Sequence, residues 1–272
     1  MNAHAPTLSV LVPAFNEERT IVQVLRRLLA LGPLLKEIVV VDDGSEDRTP
    51  ELVREMAACE PLIQFHRLSE NSGKTAAIRC ALEMATGDII IVQDADLEYD
   101  PAEIPDVIAP IVAGHADVVY GSRFLVRRTT RVLYFYHYLA NVSLTFLSNL
   151  LTNRNMTDIE TCYKAFRAGV IKPLRLTSSG FGMEIEITAL VTKTEARTYE
   201  VPISYYGRSY EEGKKIGMWD GVMAGLYIFY YNLVAPHLPA GRRYIADANG
   251  SLAEPDRGYV PASVTTSSVR SR

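Results

Sequence analysis

The chain of 272 residues is poor in cysteine, with only Cys59, Cys80 and Cys162, scattered and odd in number. They form neither a disulfide framework nor a CxxC metal site, which points to a reducing compartment. The N-terminus lacks a basic segment followed by a long apolar run, so no secretory signal is expected. No run reaches the roughly eighteen consecutive apolar residues a membrane-spanning helix needs. A basic excess is missing too: the net charge is −4 and the pI near 5.8, which argues against nucleic acid as a partner. There is no internal repeat. A GxGxxG turn and a GxxxxGK[ST] loop are both absent, which argues against a dinucleotide oxidoreductase and a P-loop enzyme. What is present is a 48% hydrophobic content, enough to fill a core and to exclude wholesale disorder.

The first 120 residues alternate short β-rich runs with helical patterns. Strands are expected at 8–12, 37–41, 62–67, 88–92 and 116–120. Helices are expected at 17–30, 47–58, 73–85 and 104–112, the first with Ile21, Val24, Leu25, Leu28 and Leu29 on one face. Apolar strands alternating with amphipathic helices imply an α/β fold, a mostly parallel sheet covered on both faces. Beyond Gly121 the spacing predicts a long aromatic-rich helix at 132–151 and a strand at 161–166. It then predicts a helix at 182–191, an extended segment at 197–206 and a helix at 216–233. One domain over 1–236 is expected. Residues 237–272, rich in Pro, Gly, Ser, Ala and Arg, read as a disordered tail.

Ligands in such sheets sit at the carboxyl ends of the strands. Those ends read Pro13-Ala14-Phe15-Asn16-Glu17, Asp42-Asp43-Gly44-Ser45, Asp94-Ala95-Asp96 and Gly121-Ser122-Arg123-Phe124. One acidic turn after a strand is ordinarily a helix cap; four such ends in succession suggest a site. Asp94 and Asp96 would repel each other without a cation, and a hard ion, Mg²⁺ or Mn²⁺, suits them. Asp43 is suited to accept hydrogen bonds from a base or ribose, and Phe15 to form an apolar wall. Gly73 and Lys74 open a helix, a reasonable place for an anion.

The segments PAFNE, VVVDDGS, NSGKTAA, DADLE and GSRF, in that order, resemble the family 2 glycosyltransferases of GT-A fold. DIETCYKAF and GRSYEEGKKIGMWDG are similar to the branch that makes dolichol- and polyprenyl-phosphate hexoses. The resemblance spans about residues 8–232. It implies that Pro13, Phe15, Glu17, Val41 and Asp43 line a nucleotide pocket. It implies further that Asp94, Ala95 and Asp96 hold the metal and the sugar diphosphate. Glu98 stands where relatives often carry Gln. Arg123 would face the transferring phosphate and sugar, Arg208 and Lys214 would close over the diphosphate, and Asp158 matches an acid near the acceptor. Some relatives carry Arg and Ser in the acceptor helix; here Arg131, His137 and Asn141 are the nearest candidates.

Two stretches, 132–153 and 221–240, contain no Asp, Glu, Lys or Arg. The first is mixed with polar residues, follows Arg127, Arg128 and Arg131, and suits an interfacial helix beside anionic headgroups. Tyr227, Phe229, Tyr230 and Tyr231 of the second favour a membrane boundary; buried helices or a homo-oligomer contact are the competing explanation. The expected enzyme uses a nucleotide sugar of the GDP-mannose or UDP-glucose type and a lipid phosphate, by inversion. It would work in the cytoplasm, peripherally at the inner face of the membrane. A soluble glycan or metabolite acceptor and a non-catalytic nucleotide-sugar binder are the alternatives.

Overall fold

The computed structural model describes residues 6–125, 129–132, 134–180, 182–208 and 218–253. Arg127, Arg128 and Lys214 lie outside the described residues. The strands are β1 (Leu8–Ala14), β2 (Leu35–Asp42), β3 (Ile63–Arg67), β4 (Ile89–Val92), β5 (Val118–Ser122), β6 (Lys164–Arg167) and β7 (Thr198–Pro202). The helices are α1 (Ile21–Leu29), α2 (Thr49–Cys59), α3 (Lys74–Met84), α4 (Ile104–Val112), α5 (Phe135–Thr152), α6 (Ala168–Ile171), α7 (Gly182–Val191), α8 (Met218–Leu233) and α9 (Pro239–Ala253). The strands form one sheet in the order β3-β2-β1-β4-β6-β5-β7. Every pairing is parallel except those of β6, which runs antiparallel to β4 and β5.

Alternation along the strands divides the core in two. Val10, Val12, Ile38, Val40, Ile89 and Ile91 face α1, α2 and α4. Leu11, Val39, Val41, Ile90 and Val92 face α3, α6, α7, α8 and α9. A two-residue period with both faces covered explains why β2 is buried at all positions but Lys36. Helix α1 follows the helical period: Ile21, Val24, Leu25 and Leu28 are fully buried, each stabilising the fold by about 1.5–3 kcal/mol.

The sheet runs outward from β1 in both directions, so a crevice opens between the carboxyl ends of β1 and β4. Because β6 is reversed, the loop that precedes it, residues 157–163, arrives at this same edge. β5 and β6 are neighbours, yet the chain between them makes a long excursion through α5. Helices α5 and α8 pack on each other, and α8 packs on α7.

The expected disordered tail is corrected over α9. Tyr244 and Ala248 of that helix are buried in the core, and α9 packs against α6 and α7. Small residues permit the approach: a Cβ on Gly169 of α6 would sit 2.9 Å from the Ser251 Cβ of α9, and one on Gly241 would sit 2.1 Å from the Ala235 carbonyl oxygen in the turn before the helix. A helix with so few large apolar side chains has the composition of a loop. The remainder of the tail, 254–272, is outside the described residues. Tyr244→Ala should lower unfolding free energy in denaturant titration by about 3–5 kcal/mol. Tyr244→Phe should match or exceed wild type, because the Tyr244 hydroxyl is buried with no hydrogen-bond partner among the described residues.

Candidate active site

A cleft of about 450 Å³ lies at the crevice, lined by Pro13, Phe15 and Glu17 after β1, Asp43 after β2, Lys74 of α3, and Asp94, Ala95 and Asp96 after β4. Its walls are tied together before any ligand enters. Asn16, in left-handed backbone at φ 55°, donates its N–H to Ser45 Oγ at 2.9 Å and accepts from the Glu46 N–H at 2.9 Å. Asp43 accepts the N–H groups of Ser72 and Gly73, each at 2.8 Å. Asp43 thus fastens the loop before α3. Gly44 is needed there: its φ is +74°, and a Cβ would meet the Asn71 nitrogen at 2.8 Å.

The two acids after β4 have different environments. The Lys74 ammonium lies 2.5 Å from Asp94 Oδ1 and donates to Cys162 Sγ at 3.3 Å. Burial opposes the charge on Asp94, but Lys74 outweighs it and holds the carboxyl below its ordinary range. Burial raises Asp96 to about 7, reinforced by the charges of Asp94 and Glu98. Arg208 answers that charge. Its Nη2 donates to Asp96 Oδ2 at 2.7 Å, and its Nε and backbone N–H donate to Glu98 Oε1 at 3.0 and 2.9 Å. Its Nη1 is 3.6 Å from Glu17.

Beside the cleft, Asp158 grips Arg123. It accepts from Nε at 2.7 Å, from Nη2 at 2.8 Å and from the backbone N–H at 3.1 Å. Arg123 lies over the Tyr205 ring at 5.1 Å and the Phe124 ring at 5.4 Å. Glu200 of β7 holds the other side of the clamp by accepting the Thr157 N–H at 2.8 Å and the Asp158 N–H at 3.3 Å. Deeper, Lys164 pairs with Glu184, while Glu160 keeps one carboxylate oxygen buried without a hydrogen bond among the described residues. Burial pushes Glu160 up to about 7.

Of the residues expected from sequence, Pro13, Phe15, Glu17, Asp43, Asp94, Ala95 and Asp96 meet at the cleft. Arg208 and Glu98 join them through the ion pairs. Val41 does not: it is fully buried among Leu11, Val39 and Ala77, because its strand position points into the covered face. Arg131 donates to the Gly207 carbonyl at 3.1 Å, and so sits against the segment that carries Arg208. His137 stacks near Tyr134 on α5, and neither it nor Asn141 lines the cleft. The sequence reading passed over Cys162, Tyr205 and Glu200. Lys74 was visible in NSGKTAA, whereas Glu200 lies mid-strand, over forty residues from its partners, and carries no local signal.

Asp158→Ala would leave the buried Arg123 guanidinium without its partner and should cost about 3–5 kcal/mol in denaturant titration. Glu160 holds its proton more tightly folded than unfolded, so its favourable contribution is present in acid and is lost as pH rises from about 4.5 to about 7. Glu160→Gln should therefore raise the melting temperature at pH 8 and change it little at pH 4.

The family model described as glycosyl transferase family 2 matches residues 9–175. Dolichol-phosphate mannosyltransferase of Pyrococcus furiosus is 32% identical over 77% of this chain and 59% of its own. Undecaprenyl-phosphate 4-deoxy-4-formamido-L-arabinose transferase of Edwardsiella ictaluri is 31% identical over 76% of this chain and 62% of its own. The chain thus spans about three fifths of the length of these curated relatives. Glucosyl-3-phosphoglycerate synthase of Mycobacterium tuberculosis, solved with Mn²⁺ and uridine-diphosphate-glucose, superimposes with a TM-score of 0.63 at 18% identity, over 83% of this chain and 77% of that one. That likeness speaks to the fold, which is GT-A. The family match covers more than half of the chain, and with the relatives aligned across three quarters of it, the chain belongs to glycosyl transferase family 2.

Proposed function

We propose that this chain transfers a hexose from a nucleoside-diphosphate sugar to a polyprenyl monophosphate, with inversion, at the cytoplasmic surface of a membrane. The observation that carries the reading is the pairing of Asp94 and Asp96 with Lys74 and Arg208 at the switch point of the sheet. Pro13, Phe15, Glu17 and Asp43 supply walls for a nucleoside, in a cleft of suitable size. The relatives named for dolichol and undecaprenyl phosphate support the choice of acceptor.

The acids fit a divalent ion, Mg²⁺ or Mn²⁺. Two carboxylates two residues apart, one of them pushed up to about 7 by burial and by the charges of Asp94 and Glu98, gain from a hard cation. Among the described residues no group of three or more His, Cys, Asp or Glu is arranged to hold a metal ion by itself, so diphosphate oxygens and water would complete the ligands. When bound, the ion offsets the negative charge that grows on the leaving diphosphate. Arg208 binds that diphosphate from the other side, with Lys214 following it in the sequence. Arg123, locked by Asp158, orients the phosphates and the sugar; a guanidinium held at Nε and Nη2 loses little entropy when it binds. The acceptor oxygen of a monophosphate is already ionised near neutral pH, so positioning and charge stabilisation replace a strong base.

Helices α5 and α8 give the acceptor side its character. Phe135, Tyr136, Phe146 and Leu150 of α5, and Leu226 and Leu233 of α8, are exposed. None of the described helices is long and apolar enough to cross a membrane. An aromatic-rich helix pair of this kind, with Asp220 at the start of α8 as its one acidic residue, suits an interface, where it would meet the lipid chain while Arg131, His137 and Asn141 approach the phosphate. Sugar transfer to undecaprenyl phosphate in anionic vesicles, with a panel of nucleotide sugars and Mg²⁺ or Mn²⁺, tests the reading. Turnover is expected with one donor and with the protein sedimenting on the vesicles. Asp96→Asn should reduce it by about a hundredfold or more. Transfer only to soluble acceptors, or donor binding without any transfer, overturns it.

A further inference from the structure

Arg208 occupies the place where the divalent ion is expected. Both oxygens of Asp96 are engaged: Oδ1 accepts the Glu98 N–H at 3.0 Å, and Oδ2 accepts Arg208 Nη2 at 2.7 Å. A guanidinium this close to a carboxylate oxygen leaves no room for a second cation without strong repulsion. Asp94 differs, because its partner Lys74 comes from α3, an element packed into the core.

We propose that Arg208 is the resident counter-cation of Asp96, holding the carboxylate oxygen that a divalent ion requires, and that Glu98 is the positioning residue that keeps Arg208 at the cleft once Asp96 is given up. The proposal rests on the metal assignment made under the proposed function and deepens it. Glu98 is placed for this role by contacts that do not involve Asp96. It accepts the backbone N–H and Nε of Arg208 on Oε1, and the Tyr205 hydroxyl on Oε2 at 2.9 Å. Its own carbonyl accepts the Tyr206 N–H at 2.9 Å. When Nη2 leaves Asp96, Nε stays on Glu98, and the two Nη groups are free to donate to a diphosphate in the cleft. The same arginine thus serves first as a stand-in for the ion and then as a ligand to the donor. A glutamate in this place, rather than a glutamine, holds the guanidinium by charge as well as by hydrogen bonding.

Mn²⁺ titration of the full chain by electron paramagnetic resonance, without nucleotide, gives the first test. Arg208→Gln should bind Mn²⁺ about tenfold more tightly than wild type, and Asp96→Asn should bind it far more weakly. Equal affinity in wild type and Arg208→Gln, with binding still lost in Asp96→Asn, overturns the exchange and leaves the metal site standing. Binding unaffected by Asp96→Asn, or absent from all three proteins, overturns the metal site and the exchange with it. The second test follows the Arg208 Nε–H resonance, identified by its loss in Arg208→Gln. Saturating Mg²⁺ should leave that proton protected in wild type while the Nη signals average by faster rotation. No change on adding Mg²⁺ overturns the exchange. In Glu98→Ala the Nε–H should lose protection when Mg²⁺ is added. Affinity for uridine or guanosine diphosphate in Mn²⁺ should then fall to that of Arg208→Gln, with the double variant no weaker. Additive losses overturn the role given to Glu98.

Discussion

Negative charge crowds the carboxyl edge of the sheet, and the site depends on how it is compensated. Asp94, Asp96, Glu98, Asp158 and Glu184 all lie in or under the cleft, mostly shielded from water. An isolated buried carboxylate is too costly to persist as an ion, so each needs a cation at contact distance. Lys74, Arg208, Arg123 and Lys164 supply them, and each comes from a different segment. The fold is therefore what assembles the ion pairs, and the ion pairs are what hold the functional groups still. Tyr205 links the two arginines, with its ring under Arg123 and its hydroxyl on the glutamate that holds Arg208. Arrangements of this kind add little net stability but fix geometry, which the proposed transfer between two charged substrates requires.

The opposite edge of the sheet is organised differently. There Glu37 is buried and accepts Ser9 Oγ at 2.5 Å, Gln64 Nε2 at 2.6 Å and the Thr86 N–H at 2.5 Å. Burial would raise its pKa, but these donors more than offset that and hold it below the ordinary range. The Lys36 charge adds to them. Farther along the same edge Asp117 pairs with Arg167 at 3.1 Å and with Arg197 at 2.9 Å. These groups brace strand starts, whereas Asp94 and Asp96 line the cleft at the carboxyl edge.

Much of this was legible in the sequence, for a physical reason. Strand ends such as Asp94-Ala95-Asp96 and Gly121-Ser122-Arg123 are local signals, and the parallel topology places them at one edge whatever lies between. The period of α1 and the β-branched run of β2 are local too. What was not legible depends on long-range packing. Val41 has the right position in the chain but the wrong face of the strand. Glu200 acts through Thr157 and Asp158, across the β5–β7 region, with nothing in its neighbours to mark it. The α9 helix is built from small residues whose value is close approach rather than apolar area, so composition assigned it to a tail. Asp158 was visible as an acid, but only the fold shows that its oxygens belong to Arg123.

The long excursion between β5 and β6 has a consequence for how such enzymes diversify. These two strands are hydrogen-bonded neighbours, with Val119 opposite Ala165, so the ends of the excursion are pinned side by side. An insertion confined to α5 leaves the sheet register, and hence the positions of Asp94 and Asp96, unchanged. The helix α5 is in that sense a cassette mounted on a fixed socket. Exchange of the cassette alters the surface beside the cleft, while the strand ends that line the cleft are kept.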